Sequence, residues 1–457
     1  MKAAILLLAS LSPLLAEISV PEMSSDLSSD HATYDGEMLR LEGHVFLDHD
    51  LGQMEAETAI LKKGEPSLEF SSIHLKDQVS IFFEDQGKLF SDQAFLDFQT
   101  LKGTILSGEY PVVYHGNDLE LFSTAIDLTF SKNETAFGLD CLLAKENVHI
   151  DYMEDFHLDC DEAYYKNSTL IATAKQRKKP CHLTHLGDTV DAQKIAFDLD
   201  TNLLTFHSPK GSLSSLFFPT DNERNCAFAS NLLIWDHNNE LLMLRGAIVI
   251  HDPSMGTLIG DHLFSLQQHT HLGKKVIQSI ETEGKTVLVA DDGQSLTSYG
   301  TLKIDRDNLM MSCTGTEDNQ ILYENREVRL HADTATIEYA LHQVELKPHL
   351  VHLHGNVKIL SRDVQRPLRK GLADHIIYDP ITHETRLLSD EGNHVLFWDD
   401  EKKLTLSAPE ILISIDPVSK EESIKGIGTV RFLFSEEEGK RFEKLLEDVQ
   451  KRKPHDS

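Results

Sequence analysis

Apolar and polar residues alternate along this chain from residue 30 to residue 434. Leu39, Leu41, Val45 and Leu47 share one parity and Arg40, Glu42, His44, Phe46 and Asp48 the other, which is the period of a half-buried strand. The same period runs through Val351, Leu353, Val357 and Ile359, then Val395 and Phe397, Leu404 and Leu406, and Ile411, Ile413 and Ile415. Turn signals such as Asp291-Asp292-Gly293, Asn238-Asn239 and Asp379-Pro380 separate the runs. The pattern predicts an all-β, antiparallel protein of about 36 strands, at roughly 11 residues per strand and turn.

Two short phrases recur on these strands. One is a small residue, an acid or polar residue, any residue, then Ala or Ile leading into an aromatic: Ser91-Asp92-Gln93-Ala94-Phe95, Ala332-Asp333-Thr334-Ala335 and Ala373-Asp374-His375-Ile376, with looser copies starting at Ala56, Cys160 and Ala192. The spacings sit near multiples of about 35 residues, the range of stacked-repeat architectures. One such unit cannot bury its own apolar face, so the expected body is elongated, with function spread over a long surface. The second phrase places Gly on the apolar parity: Leu41-Glu42-Gly43-His44-Val45, Leu244-Arg245-Gly246-Ala247-Ile248 and Leu353-His354-Gly355-Asn356-Val357. A missing side chain there predicts a bend, a bulge or close passage of another backbone.

Stacked strands carrying the first phrase align the acids as a rim and the apolar residues as a continuous trough. The candidate trough residues are Ala59, Leu61, Ala94, Leu96 and Phe98, then Ala163, Tyr165, Ile195 and Phe197, then Ala335, Ile337, Tyr339, Ile376 and Tyr378. Alanine at inward positions leaves room for a guest, although small residues also let two sheets pack closely.

The ends differ in kind. Met1-Lys2, an apolar run from Ala3 to Leu15 and Ala16 before Glu17 read as a secretory signal peptide, with an uncleaved anchor as the alternative. The expectation is an exported, periplasmic chain, with outer-membrane association as a wider possibility. At the other end, Ser435 with Glu438 forms a capping box, and Phe442, Leu445, Leu446 and Val449 follow at helical spacing, predicting a short C-terminal amphipathic helix that covers a sheet end. The expected divisions are 1–16 signal peptide, 17–175, 176–325 and 326–434 as β modules, and 435–457 as helix and tail.

The formal charge of −31 argues against nucleic acid as a partner. Five cysteines, Cys141, Cys160, Cys181, Cys226 and Cys313, allow at most two disulfides. Cys181-His182 with His185, and His157 with Cys160, have metal-ligand spacings but no second matched pair, so no metal or cofactor is expected. No Gly-x-Ser-x-Gly elbow, phosphate loop or His-Glu-x-x-His helix is present, and the expectation is a protein without catalytic residues.

The pairing of Gly43-His44-Val45 or Gly355-Asn356-Val357 with Ala56-Glu57-Thr58-Ala59, Ala332-Asp333-Thr334-Ala335 or Ala373-Asp374-His375-Ile376 resembles the organic-solvent-tolerance (OstA-like) family, which includes periplasmic lipopolysaccharide-transport bridge proteins. The resemblance is strongest over residues 30–63 and 328–415. It implies an open β-jellyroll whose apolar groove shields lipopolysaccharide or lipid A acyl chains, and partnership with other jellyroll proteins by edge-strand addition, including head-to-tail self-association. The chain is far longer than one bridge module and shows no run of girdled outer-membrane barrel strands. The rival expectation is an exported structural or adhesive β-repeat protein with a dry interior and no lipid.

Overall fold

The computed structural model describes residues 26–432 apart from 65–69, 84–86, 117–118, 133–136, 153–154, 176–178, 215–224, 254–255, 272–273, 292, 327, 343–344, 362–367, 401–403 and 416–420. Within this range the chain forms 40 strands paired antiparallel, and no helix occurs among the described residues. The expected signal peptide and the helix from Ser435 lie outside the described residues. Two compact units divide the chain: one takes it to Glu154 together with Asp161–Asn167, the other takes Asp155–Cys160 and everything from Ser168. Residues 175 and 325, the expected module borders, both fall inside the second unit.

In the first unit, long strands do the work of two. Met38–His49, Gly52–Lys63, Phe70–Phe83 and Gly87–Asp97 run 11 to 14 residues, and their registers shift midway, between Glu42 and Val45, Glu55 and Thr58, and Lys76 and Val79. At the shifts, Gly43 and His44 (φ +79° and +44°) or Asp77 and Gln78 (φ +63° and +53°) are left-handed. Two such residues facing one on the neighbouring strand form a bulge that bends the strand sharply. Each long strand thereby passes from one sheet into a second.

In the second unit two sheets are built from five-residue hairpins. Cys181–His185 pairs Asp188–Ala192, the chain crosses to the other sheet for Lys194–Asp198 with Leu203–His207, and Lys210–Ser214 returns to pair Asp188–Ala192. Repetition of this step pairs each strand with its hairpin mate and with the strand three places on, through Thr334–His342. With about 15 strands per sheet at 4.8 Å, this unit alone extends on the order of 70 Å. Glu345–Ser361, of 17 residues, then restores the long-strand form: it pairs Val328–Ala332 in one sheet and Thr334–His342 in the other, bending at Gly355 and Asn356 (φ +78° and +46°).

Both recurring phrases belong to the bend. Glu57, Asp92 and Asp374 are each the single residue opposite a left-handed pair, Gly43-His44, Asp77-Gln78 and Gly355-Asn356 respectively. In five copies the small residue that begins the phrase is buried inside the bend, where the sheets converge: Ala56, Cys160, Ala192, Ala332 and Ala373; Ser91 is half-buried. The acid faces out and ties the corner. Asp333 Oδ2 accepts from Asn356 Nδ2 at 2.9 Å and its Oδ1 from Gln320 Nε2 at 2.8 Å; Asp92 Oδ2 accepts from the Gly108 N–H at 2.6 Å; Asp374 Oδ2 accepts from the Asp390 N–H at 2.7 Å. The acids therefore line the folded edge where the sheets join, where side-chain amides and loop N–H groups lie within reach of a short carboxylate.

Backbone hydrogen bonds continue along the corner of the second unit, from Gln193 N–H to His207 O, Asn231 to Gly246, Gly284 to Gly300, Gly300 to Thr314 and Asp333 to Gly355, at 2.8–3.1 Å. The corner is thus a hydrogen-bonded seam. Hairpin turns make up the opposite margin of each sheet, so the two sheets form a folded ribbon with one joined side.

The interior of the first unit is filled. Ile73, Leu75, Ile81, Leu89, Leu96, Ile105, Leu121 and Ile126 are each at most 0% exposed. In the second unit, Phe156 stacks on His185 at 3.7 Å between ring centroids and meets Trp235 at 5.8 Å, packing the hairpin ends of one sheet against those of the other. All five cysteines are free thiols. Alternation sends His157 outward and Cys160 inward; His182 points outward to Asp191 Oδ1 at 2.7 Å while Cys181 and His185 are both buried on the other face, so neither spacing gathers all its residues on one face.

Candidate functional site

Between residues 288 and 385 the two sheets of the second unit do not close on each other and leave a slot of about 690 Å³. One wall comes from Thr286–Val289, Ser295–Ser298, Ile321–Glu324 and Val328–Ala332, which contribute Leu288, Leu296, Ile321, Tyr323 and Leu330. Opposite stand Met310–Thr314, Thr334–His342, Glu345–Ser361 and Arg369–Asp379, contributing Met311, Ala335, Ile337, Val351 and Ile376. The volume is within the roughly 300–1,000 Å³ of small-ligand sites.

Strand alternation selects these side chains. Ala335, Ile337 and Tyr339 share a parity, and their register partners Leu353 and Val351, then Ile376 and Tyr378, carry it across three adjacent strands. Ala335 lies deep near the bend and is buried; Ile337 and Tyr339, farther from it, are half-buried. Large inward residues that stay partly accessible mark where the walls separate. Burial pushes the Tyr339 hydroxyl up to about 12, with the Cys313 thiol, itself pushed up to about 12 by burial, adding to the effect.

Five of the residues singled out in the sequence therefore line one slot: Ala335, Ile337, Tyr339, Ile376 and Tyr378. The remaining nine do not. Ala59, Leu61, Ala94, Leu96 and Ala163 are buried in the interior of the first unit. Tyr165 is half-buried there, and Phe98, also half-buried, stacks on His49 at 4.6 Å. Ile195 is buried in the second unit, and Phe197 joins the aromatic cluster, 6.2 Å from Phe156.

Sequence reasoning missed the opposite wall. Leu288, Ile321, Tyr323 and Asn325 lie where the phrase is faint and Leu330 just before a copy of it, and only the facing of the two sheets brings them across from Ala335 and Ile376. Tyr323 donates its hydroxyl to Gln294 Oε1 at 2.7 Å and accepts from Asn325 Nδ2 at 3.2 Å, a small polar network at the hairpin end of that wall.

Beyond the slot, the hairpin ends of the two sheets are clasped by charge. Arg369 holds Glu422 in a two-pronged pair, Nη1 to Oε1 at 2.6 Å and Nη2 to Oε2 at 2.7 Å, while its Nε meets the fully buried Asp399 Oδ2 at 3.0 Å. Planar guanidinium to carboxylate pairing of this kind fixes geometry as well as charge. The margin opposite the seam is thus held together by the Phe156 cluster at one level and the Arg369 clasp at another.

No family model matches the chain, and no curated protein matches it at a significant level.

Proposed function

We propose that the protein is a lipid-binding carrier or chaperone of the periplasm that shelters acyl chains, those of lipopolysaccharide being the leading candidate, in the slot between residues 288 and 385. The observation that carries this reading is a deep apolar opening, of ligand size, lined by inward-facing Ala335, Ile337 and Ile376 in the region whose phrases resemble the OstA-like family. Apolar burial favours an acyl chain by roughly 25 cal/mol per Å² removed from water, which suits a guest without directional demands. The single-sided strand His31–Tyr34, paired only through Met38–His49 among the described residues, is where a partner jellyroll or a second copy would add a strand.

The filled interior of the first unit favours a second reading for that part of the chain, a spacer or adhesive body without lipid. A photo-crosslinking residue separates the two. At Ile337 or Ile376 it should trap lipopolysaccharide in cells that make it, and at the neighbouring Thr336 or Ile377, on the opposite parity, it should not. Labelling confined to Thr336 and Ile377 would defeat the carrier reading.

A further inference from the structure

The composition of the slot restricts its guest further. Asp, Glu, Lys and Arg make up 26% of the chain, yet among the described residues none of them lines the slot. Nearby charges face elsewhere: Glu324 and Arg329 are cross-strand partners that pair with each other, while Tyr323 and Leu330 beside them line the slot. His331, which also lines it, is pushed down to about 4 by burial, with Lys358 and Arg329 adding to the effect, so it is neutral at neutral pH.

A carboxylate or phosphate drawn into this space would be desolvated with no cation among the described lining residues to meet it. The lining offers uncharged hydrogen-bonding groups instead. The Tyr323, Gln294 and Asn325 network stands on one wall, and the other contributes Tyr339 and Tyr378. A hydroxyl held between a donor and an acceptor can exchange one of them for a ligand oxygen at little net cost.

Resting on the lipid-binding reading above, we infer that the slot selects acyl chains joined to their head by an uncharged ester, amide or hydroxyl link, which Tyr323 hydrogen-bonds, and rejects the ionised carboxylate of a free fatty acid. Any charged head stays outside the slot. Selection comes from what the lining lacks as much as from what it holds, since an unpaired buried charge penalises the wrong ligand more than one hydrogen bond rewards the right one.

The test uses the full chain loaded with the uncharged fluorescent probe N-phenylnaphthylamine, and competitors of matched chain length: a monoacylglycerol, a fatty alcohol and a fatty acid at alkaline pH. The two neutral lipids should displace the probe at about tenfold lower concentration than the acid. Tyr323→Phe, which keeps the ring, should weaken the monoacylglycerol about threefold, still short of the acid. Ala335→Trp, which fills the slot, should abolish probe binding. Equal displacement by acid and ester, or a Tyr323→Phe protein that binds the monoacylglycerol as tightly as wild type, overturns the selectivity and leaves the carrier reading standing. Probe bound equally well by Ala335→Trp, or no probe binding at all, overturns both.

Discussion

Gly355→Ala tests whether the corner, which sets how far the slot walls part, is built as described. Gly355 has φ +78°, and a Cβ there would lie 2.3 Å from Asp333 Oδ2 and 2.9 Å from its Cβ and Cγ. The left-handed backbone alone costs an L-residue about 1–2 kcal/mol. Asp333 would also have to swing out, giving up its bonds from Asn356 and Gln320 at 2.9 and 2.8 Å, each worth about 1 kcal/mol net. The sum is about 3–4 kcal/mol. Gly392 is the internal control: its φ is +88°, but a Cβ there meets nothing within 4 Å, so Gly392→Ala should cost only about 1–2 kcal/mol. Once Asp333→Gly has removed the whole side chain, Cβ included, adding Gly355→Ala should again cost only about 1–2 kcal/mol, a coupling of about 2 kcal/mol between the sites. Urea unfolding followed by tryptophan emission measures all four proteins, because both tryptophans, Trp235 and Trp398, belong to the second unit. If Gly355→Ala and Gly392→Ala unfold at the same urea concentration, or if the double mutant is simply additive, the acid does not pack against the bulge and the corner argument fails.

Three further outcomes are expected. Arg369→Ala removes the guanidinium beside a fully buried Asp399 carboxylate and should destabilise the second unit by about 3 kcal/mol in urea, with Asp399→Asn in that background recovering part of the loss. His331 titrates near 4 when folded against 6.5 otherwise; between those values the unfolded chain binds a proton that the folded chain does not, so this contribution is intact above the unfolded value and disappears as pH falls through the folded one. Wild type should accordingly lose more stability than His331→Gln between about pH 7 and pH 4, and parallel curves would refute the assignment. Four of the five thiols are buried and only Cys141 is half-buried, so an aromatic disulfide reagent should titrate no more than one thiol in the native protein and all five in denaturant. Rapid native reaction at Cys313, whose thiol burial pushes up to about 12, would contradict the packing.

Much of the fold can be read directly from the chain. A period of two has a single structural meaning, and Leu39 to Leu47 or Val351 to Ile359 reveal both the strand and its buried face, because neighbouring side chains on a strand must point to opposite sides. Glycine at Gly43 and Gly355 likewise announces a bend, since few other residues tolerate a left-handed backbone so close to another chain segment. Partnership is not local, and that is what tertiary structure decided. Asp333 reads as one more strand carboxylate until Asn356 and Gln320 are brought to it across the corner. Ala94 and Ala335 occupy the same place in the same phrase, yet Ala94 is sealed in a filled interior while Ala335 floors an opening, because that difference depends on the separation of the facing sheet. Tyr323 has no distinguishing neighbours in sequence and acquires its place only when the facing of the two sheets sets its wall opposite Ile376. Alternation determines which way each residue faces; the distance between two sheets, set by their corners and clasps, determines what it faces.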